Sequence, residues 1–209
     1  MIHPHTELRF ISDKIGYGVV ATRLIPAGTI TWTRDDLDQS YIPGRVKEMS
    51  ALYGPILEKY CFVDAAGNHI LCWDIARFVN HACEAACLSA GYDFELAVRD
   101  IHPGDELTDD YGTLNIEAGF TCHCGSPRCR KFIHPDDALV CTEGWDAQVR
   151  KVFGRVEHVE QPLWTWVKEK EQIGKILAKH IQIPSSIMNY HSARQNGHTP
   201  LAGTPGAAC

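Results

Sequence analysis

Three cysteines fall within one short stretch, Cys122-His123-Cys124-Gly125-Ser126-Pro127-Arg128-Cys129, and this cluster restricts the fold more than any other part of the chain. A Cys-x-Cys-x4-Cys spacing in a Gly- and Pro-turned loop offers three soft donors to one ion, whereas structural zinc takes four, at about 2.3 Å from sulfur. The fourth ligand must come from elsewhere, so the fold has to carry a distant segment onto the loop. Nine cysteines, an odd number at irregular spacing, argue against a secreted disulfide framework and for reduced thiols, some of them on metal. The binding energy of a structural metal is folding energy. An ion here would staple the loop and would not itself be the catalyst.

The remaining chain has to supply a core on which such a loop can rest. Its 209 residues, 44% hydrophobic and 22% charged, suffice for one well-buried core and an appendage. Short β-branched or aromatic runs bounded by turn residues dominate the first two thirds: Leu8–Ile11, Gly18–Thr22, Thr29–Thr33, Tyr60–Val63, His69–Trp73 and Phe94–Val98. Pro26-Ala27-Gly28, Ala65-Ala66-Gly67-Asn68 and Pro103-Gly104-Asp105 mark turns through fixed or positive φ. Residues 44–58 read as a helix inserted among the strands. After Pro135 the spacing turns helical, over Trp145–Val159 and Leu163–Ile183. From Pro184 onward Ser, Asn, Gly and Pro leave little to bury, which predicts a disordered tail. The expectation is a mainly β fold with a C-terminal helical appendage.

A formal charge of −6 leaves no footprint for nucleic acid. No apolar run is long enough to span a bilayer, and the start Met1-Ile2-His3-Pro4-His5 lacks the regions of a signal peptide. An intracellular address is expected. His3, His5, His69, His102, His123, His134, His158, His180, His191 and His198 show no paired ligand spacing and read as surface residues. Trp145, Trp164 and Trp166 read as packing anchors of the appendage.

Two blocks upstream of the cysteines carry further chemistry. Arg77-Phe78-Val79-Asn80-His81-Ala82-Cys83 places a polar pair before a thiol, and Glu106-Leu107-Thr108-Asp109-Asp110-Tyr111-Gly112 ends a short strand on a tyrosine. In their order and combination the three blocks resemble a SET-domain protein lysine methyltransferase with a post-SET zinc motif. The resemblance covers roughly residues 7–133 and implies the SET fold: small curved sheets with a threaded, pseudoknot-like loop, cofactor on one face and peptide lysine on the other. It divides the chain into a SET domain (1–115), a post-SET zinc-binding segment (116–134), a helical C-terminal extension (135–183) and the tail (184–209).

The resemblance also implies site residues. Tyr111 falls on the family's catalytic tyrosine, and Tyr60 is similar to the tyrosine beside the lysine channel. Gly16, Tyr17, Gly18, Arg77, Asn80, His81, Tyr111 and Phe132 are expected around S-adenosyl-L-methionine. One zinc per chain is expected on Cys122, Cys124, Cys129 and Cys83, with Cys87 as the competitor for the fourth place. Ala82, Ala85 and Ala86 stand where the family usually has Ser, Pro and Asn, and Asp109 replaces a Phe or Tyr that limits the size of the lysine pocket. Asp109 would admit water, pair with the incoming ammonium, or point to solvent.

The implied activity is methylation of lysine in a basic protein or peptide, a histone tail above all, with no membrane or direct nucleic-acid partner. Such a protein would be nuclear or chromatin-associated in a eukaryote, and cytoplasmic or a secreted effector otherwise. The competing readings are a methyltransferase for a non-histone lysine and a degenerate SET fold that binds a peptide or partner without catalysis.

Overall fold

The computed structural model describes residues 1–186. The expected disordered tail lies, from residue 187 on, outside the described residues.

The chain opens with a hairpin of β1 (Thr6–Ser12) and β2 (Gly16–Ala21), and Gly16 starts the return strand at φ 84°. A side chain is strained at such an angle and glycine is not. Val19, Val20 and Ala21 of β2 are buried, and its other edge pairs antiparallel with β10 (Glu106–Asp109) through Glu106↔Val20 and Leu107↔Val19. β10 is the junction of the molecule. It also pairs in parallel with β7 (Asn80–His81), through Thr108↔Asn80 and Asp109↔His81, and with β8 (Cys87–Tyr92), through Asp109↔Cys87, so that Asp109 is bridged from both sides. β9 (Phe94–Ala97) and β3 (Ile30–Thr33) complete this sheet in the order β1-β2-β10-β8-β9-β3. The polar pair at 80–81 is thereby laid beside the strand that leads into Tyr111, although the two are far apart in sequence.

A smaller sheet runs β4 (Gln39–Tyr41), β6 (His69–Leu71), β5 (Cys61–Val63). Between β4 and β5 sits α1 (Pro43–Tyr60), with Pro43 in its first turn, where a missing N–H costs no hydrogen bond. Leu57 is its buried residue, so the helix is anchored near its C-terminal end. A last pair, β11 (Phe120–Thr121) and β12 (Phe132–Ile133), clasps the two ends of the cysteine loop. The sequence predicts β1, β2, β3 and β9 to within two residues; β4, β7, β8, β11 and β12 are additions of the structure.

The helical extension consists of α2 (Ala138–Phe153) and α3 (Lys170–Leu177). α2 begins earlier than the predicted Trp145, and residues 163–169 form turns where helix was expected, because Gly154 and Pro162 interrupt the pattern. Trp145, Val149, Phe153 and Ile173 share one apolar core with Ile30, Leu88, Phe94 and Leu96 of the sheet. A second core, on Val19, Ile25, Ile101 and Leu107, fills the other side. Gln161 stitches the extension to β3, its Oε1 accepting from the Ile30 N–H at 2.8 Å and its Nε2 donating to the Gly28 carbonyl at 2.9 Å.

Two expectations need correction. Trp145 is an anchor, but Trp164 and Trp166 are exposed, the latter at 51%, because they lie on turns outside the helices. His3 is buried, its imidazole pushed down to about 4 by burial and by the adjacent His5.

Trp145 also makes a polar bond, its indole N–H reaching the Asp110 carboxylate at 3.1 Å. Trp145→Phe keeps most of the packing and strips a donor from a buried acid, which should cost about 1–3 kcal/mol in urea unfolding. An unchanged midpoint would show that this bond contributes nothing.

Candidate active site

Tyr111 follows β10 directly, in a 3₁₀ turn (Tyr111–Thr113) whose cap is Asp110: the Asp110 carboxylate accepts from the Gly112 N–H at 3.0 Å. The Tyr111 hydroxyl donates to the Val79 carbonyl at 2.6 Å, and its backbone N–H donates to His81 Nδ1 at 3.1 Å. The His81 ring meets Tyr111 at 5.6 Å and Phe120 at 5.5 Å between centroids. Burial, with the nearby charges of Asp109, Glu95 and Glu106, pushes the Tyr111 phenol far up, so it stays protonated. Because its proton is committed to Val79, the oxygen's lone pairs remain available to accept.

His81 is held neutral. Burial and then the charge of Arg130 push its imidazole down to about 4. With Nδ1 accepting from Tyr111, the assigned tautomer carries its proton on Nε2, 3.4 Å from Cys83 Sγ. Asn80 is likewise committed: its Nδ2 donates to the Tyr17 carbonyl at 3.0 Å and to Glu106 at 2.7 Å. These bonds tie the Gly16-Tyr17-Gly18 turn to β7 and β10. A Cβ on Gly18 would stand 2.2 Å from the Glu106 carboxylate and 2.8 Å from Asn80 Nδ2. Gly18→Ala should therefore unseat the Asn80–Glu106 pair and weaken cofactor binding at least tenfold; calorimetry giving the parent affinity would count against a role for this turn.

Tyr111 also borders a cleft of about 720 Å³, lined by Trp32, Tyr60, Phe62, Asp109 and Phe120 as well and roofed by α1. Gly16, Gly18, Asn80 and His81 do not line it. Tyr60 closes α1 and packs edge-on against Phe78 at 5.2 Å. Arg77, expected around the cofactor, lines this cleft instead and is exposed, its guanidinium 5.4 Å from the Phe78 ring centroid. Phe132 is 41% exposed beside the cysteine loop, against Gly119 and 4.6 Å from the His134 ring. Tyr17 is 53% exposed and rests on Phe10.

Asp109 does not point to solvent. It is 3% exposed, accepts from the Asp110 N–H at 2.7 Å, and shares a hydrogen bond with Glu95 of β9. Burial, followed by the neighbouring charges of Glu95 and Asp110, raises the Asp109 carboxyl well above the ordinary range, and burial pushes Glu95 up to about 7. Two buried carboxyls in contact do not both ionise, and Asp109 is the one that holds the proton.

The sulfur atoms of Cys83, Cys122, Cys124 and Cys129 all lie within 4.8 Å of one another, with Cys83 and Cys122 3.8 Å apart. A tetrahedral ion with bonds of about 2.3 Å holds sulfurs about 3.8 Å apart. Backbone N–H groups of Arg130, Cys124 and Lys131 point at Cys83, Cys122 and Cys129, each within 3.5 Å, as expected around thiolates. The donor set fits zinc. Cys87, the competitor, is buried on β8 and stands outside the cluster. Arg130, between the loop and the tyrosine, pairs with Asp110 and with Asp137 at 3.3 Å. Sequence reasoning missed Glu95, Asp110 and Arg130. A carboxylate set inside the apolar strand Phe94–Ala97 was the available signal for Glu95.

Tyr111 on a cleft wall, the Asn-His pair fixing a glycine turn, and the four-thiol clasp are thus brought together around the end of β10. The SET domain model matches residues 16–112, so over that span the chain is similar to SET domains. The histone-lysine N-methyltransferase TRX1 of Oryza sativa subsp. japonica is 35% identical over 83 residues, covering 36% of this chain and 8% of that protein. The human histone-lysine N-methyltransferase, H3 lysine-36 specific, is 29% identical over 168 residues, covering 71% of this chain and 6% of that protein. The chain thus spans less than a tenth of the length of these relatives. Among solved structures, the methyltransferase domain of human histone-lysine N-methyltransferase SETMAR superposes with a TM-score of 0.48 at 20% identity, over 64% of this chain and 58% of that one.

Proposed function

We propose that this protein transfers a methyl group from S-adenosyl-L-methionine to a lysine side chain of a protein, with histone tails as the leading substrate. The observation that carries the reading is the position of Tyr111, which touches His81, the neighbour of Asn80, and also borders the open cleft. The relatives named above, all histone-lysine methyltransferases, support the substrate class.

The residues present fit the cofactor. Asn80 Nδ2 and His81 Nδ1 are bonded to protein partners, and through these bonds they hold the Gly16–Gly18 turn and Tyr111 in place. Tyr17 and Phe132 offer exposed aromatic faces to the nucleoside end, whereas Arg77 lines the cleft under α1. When bound, the cofactor supplies an electrophilic methyl on a sulfonium. A lysine ammonium, with an ordinary pKa of about 10.4, has no lone pair to attack it until a proton is lost. Tyr60 and Phe62 line the cleft as an apolar passage for the lysine stem, and the Tyr111 oxygen accepts an N–H of the amine and fixes its line of approach. Zinc on the four cysteines is structural.

Incubation with methyl-labelled S-adenosyl-L-methionine, a histone mixture and a lysate panel tests this reading. Label on lysine is expected, on histone bands first. Cofactor binding without label on any band would favour the degenerate, partner-binding module, and label on lysate proteins alone would favour a non-histone lysine.

A further inference from the structure

We infer that Asp109 and Glu95 form a carboxyl pair at the inner end of the cleft that receives the substrate's ammonium group and takes its proton before methyl transfer. The inference rests on the methyltransferase reading for the identity of the amine, and on geometry for the rest. Both carboxyls line the same cleft as Tyr111. Asp109 is fixed there by the register Asp109↔His81 and Asp109↔Cys87, as the last residue of β10 and two residues before Tyr111. Glu95 is fixed by Trp32↔Glu95 across β3 and β9. Trp32 lines the cleft too, packs against Phe62 at 5.7 Å, and keeps its indole N–H buried with no acceptor among the described residues. A wall of aromatic rings closing on two acids is suited to a slender apolar stem that ends in a cation.

The pair's charge suits such a guest. The neighbouring charge is that of Asp110, while Cys72, Cys87 and Tyr111 face the pair un-ionised, their thiols and phenol all raised by burial. With one shared proton the two carboxyls carry one negative charge, which matches one ammonium. The proton then moves from nitrogen to the ionised carboxylate, giving a neutral pair and a neutral amine. The freed lone pair forms the N–C bond as the methyl's bond to the sulfonium sulfur of S-adenosyl-L-methionine breaks, and that electron pair stays on sulfur. A group that titrates near neutrality is suited to this exchange. Holding a proton that the unfolded chain releases above about pH 4 also makes the protein lose stability as pH rises between that point and the pair's own titration.

Two measurements on the intact protein, with the near-isosteric variants Asp109→Asn and Glu95→Gln, separate the possibilities. Calorimetry with n-butylammonium chloride at pH 8 should give binding to the wild type at least tenfold tighter than to Glu95→Gln, which removes the ionised member, and none for 1-butanol. The pH profile of methyl transfer should rise near neutrality in the wild type and move to alkaline pH in Glu95→Gln, and less in Asp109→Asn, with turnover of Glu95→Gln at pH 7 reduced at least tenfold and partly recovered near pH 10. If Glu95→Gln fails to fold, the double variant Asp109→Asn/Glu95→Gln carries both readouts. Equal n-butylammonium affinity, or unmoved profiles in active variants, overturns the inference and leaves the methyltransferase reading standing. A wild type that binds n-butylammonium through the pair but labels no protein upholds the cation site and overturns the methyltransferase reading.

Discussion

Replacing Tyr111 by Phe is expected to leave folding and cofactor affinity close to those of the wild type and to cut methyl transfer roughly ten- to a thousandfold, about 1.4 to 4 kcal/mol of barrier. The substitution deletes one oxygen from a ring that keeps its contacts with His81 and Phe120. What disappears is the acceptor that positions the amine and the donor to the Val79 carbonyl. The second loss costs about 0.5–1.5 kcal/mol of stability, and melting temperature reads it separately from turnover. A purely structural tyrosine gives the opposite pattern, with lower stability and unchanged turnover of the folded fraction. Both quantities should be measured on one preparation, and wild-type turnover would remove Tyr111 from the chemistry.

Removing the metal should have the largest effect on structure. Metal analysis is expected to find about one zinc per chain, and chelation or Cys83→Ser should lower the melting temperature and abolish most methyl transfer. The apparent binding energy of structural zinc in small modules is about 10–16 kcal/mol, more than a typical domain's whole stability. The damage would not stop at the loop. Cys83 follows β7 by two residues and accepts from the Arg130 N–H, and Arg130 in turn braces Asp110, the cap of the Tyr111 turn. Loosening the thiols therefore frees Arg130, and with it the tyrosine. A metal-free protein with the parent melting temperature would contradict this account.

The cysteine spacing made the clasp legible because three of its ligands are local, and their loop needs little tertiary information. The fourth was open between Cys83 and Cys87 until the register Asp109↔Cys87 turned the latter into the core. Strand runs were readable where apolar residues alternate with turns, but β7 is two residues long and exists because β10 lies beside it, so no local pattern marks it. Asp109 was visible as a departure from the family's aromatic residue. Its fate depended on Glu95, which reaches it over β8, the strand between β9 and β10, and such cross-strand partners are set by register. The link from Arg130 through Asp110 to Trp145 was hidden for the same reason, since it joins a loop, a turn and a helix brought together only by the fold.

The central claim is that Tyr111 stands between a cofactor face and a substrate cleft, and a crystal structure with bound S-adenosylhomocysteine tests it most directly. The account predicts the thioether sulfur beside Tyr111 on the side of Gly16–Gly18 and Asn80, with the cleft beneath α1 left open as far as Asp109 and Glu95. A cofactor lodged in that cleft, against Trp32 and the acid pair, would contradict it.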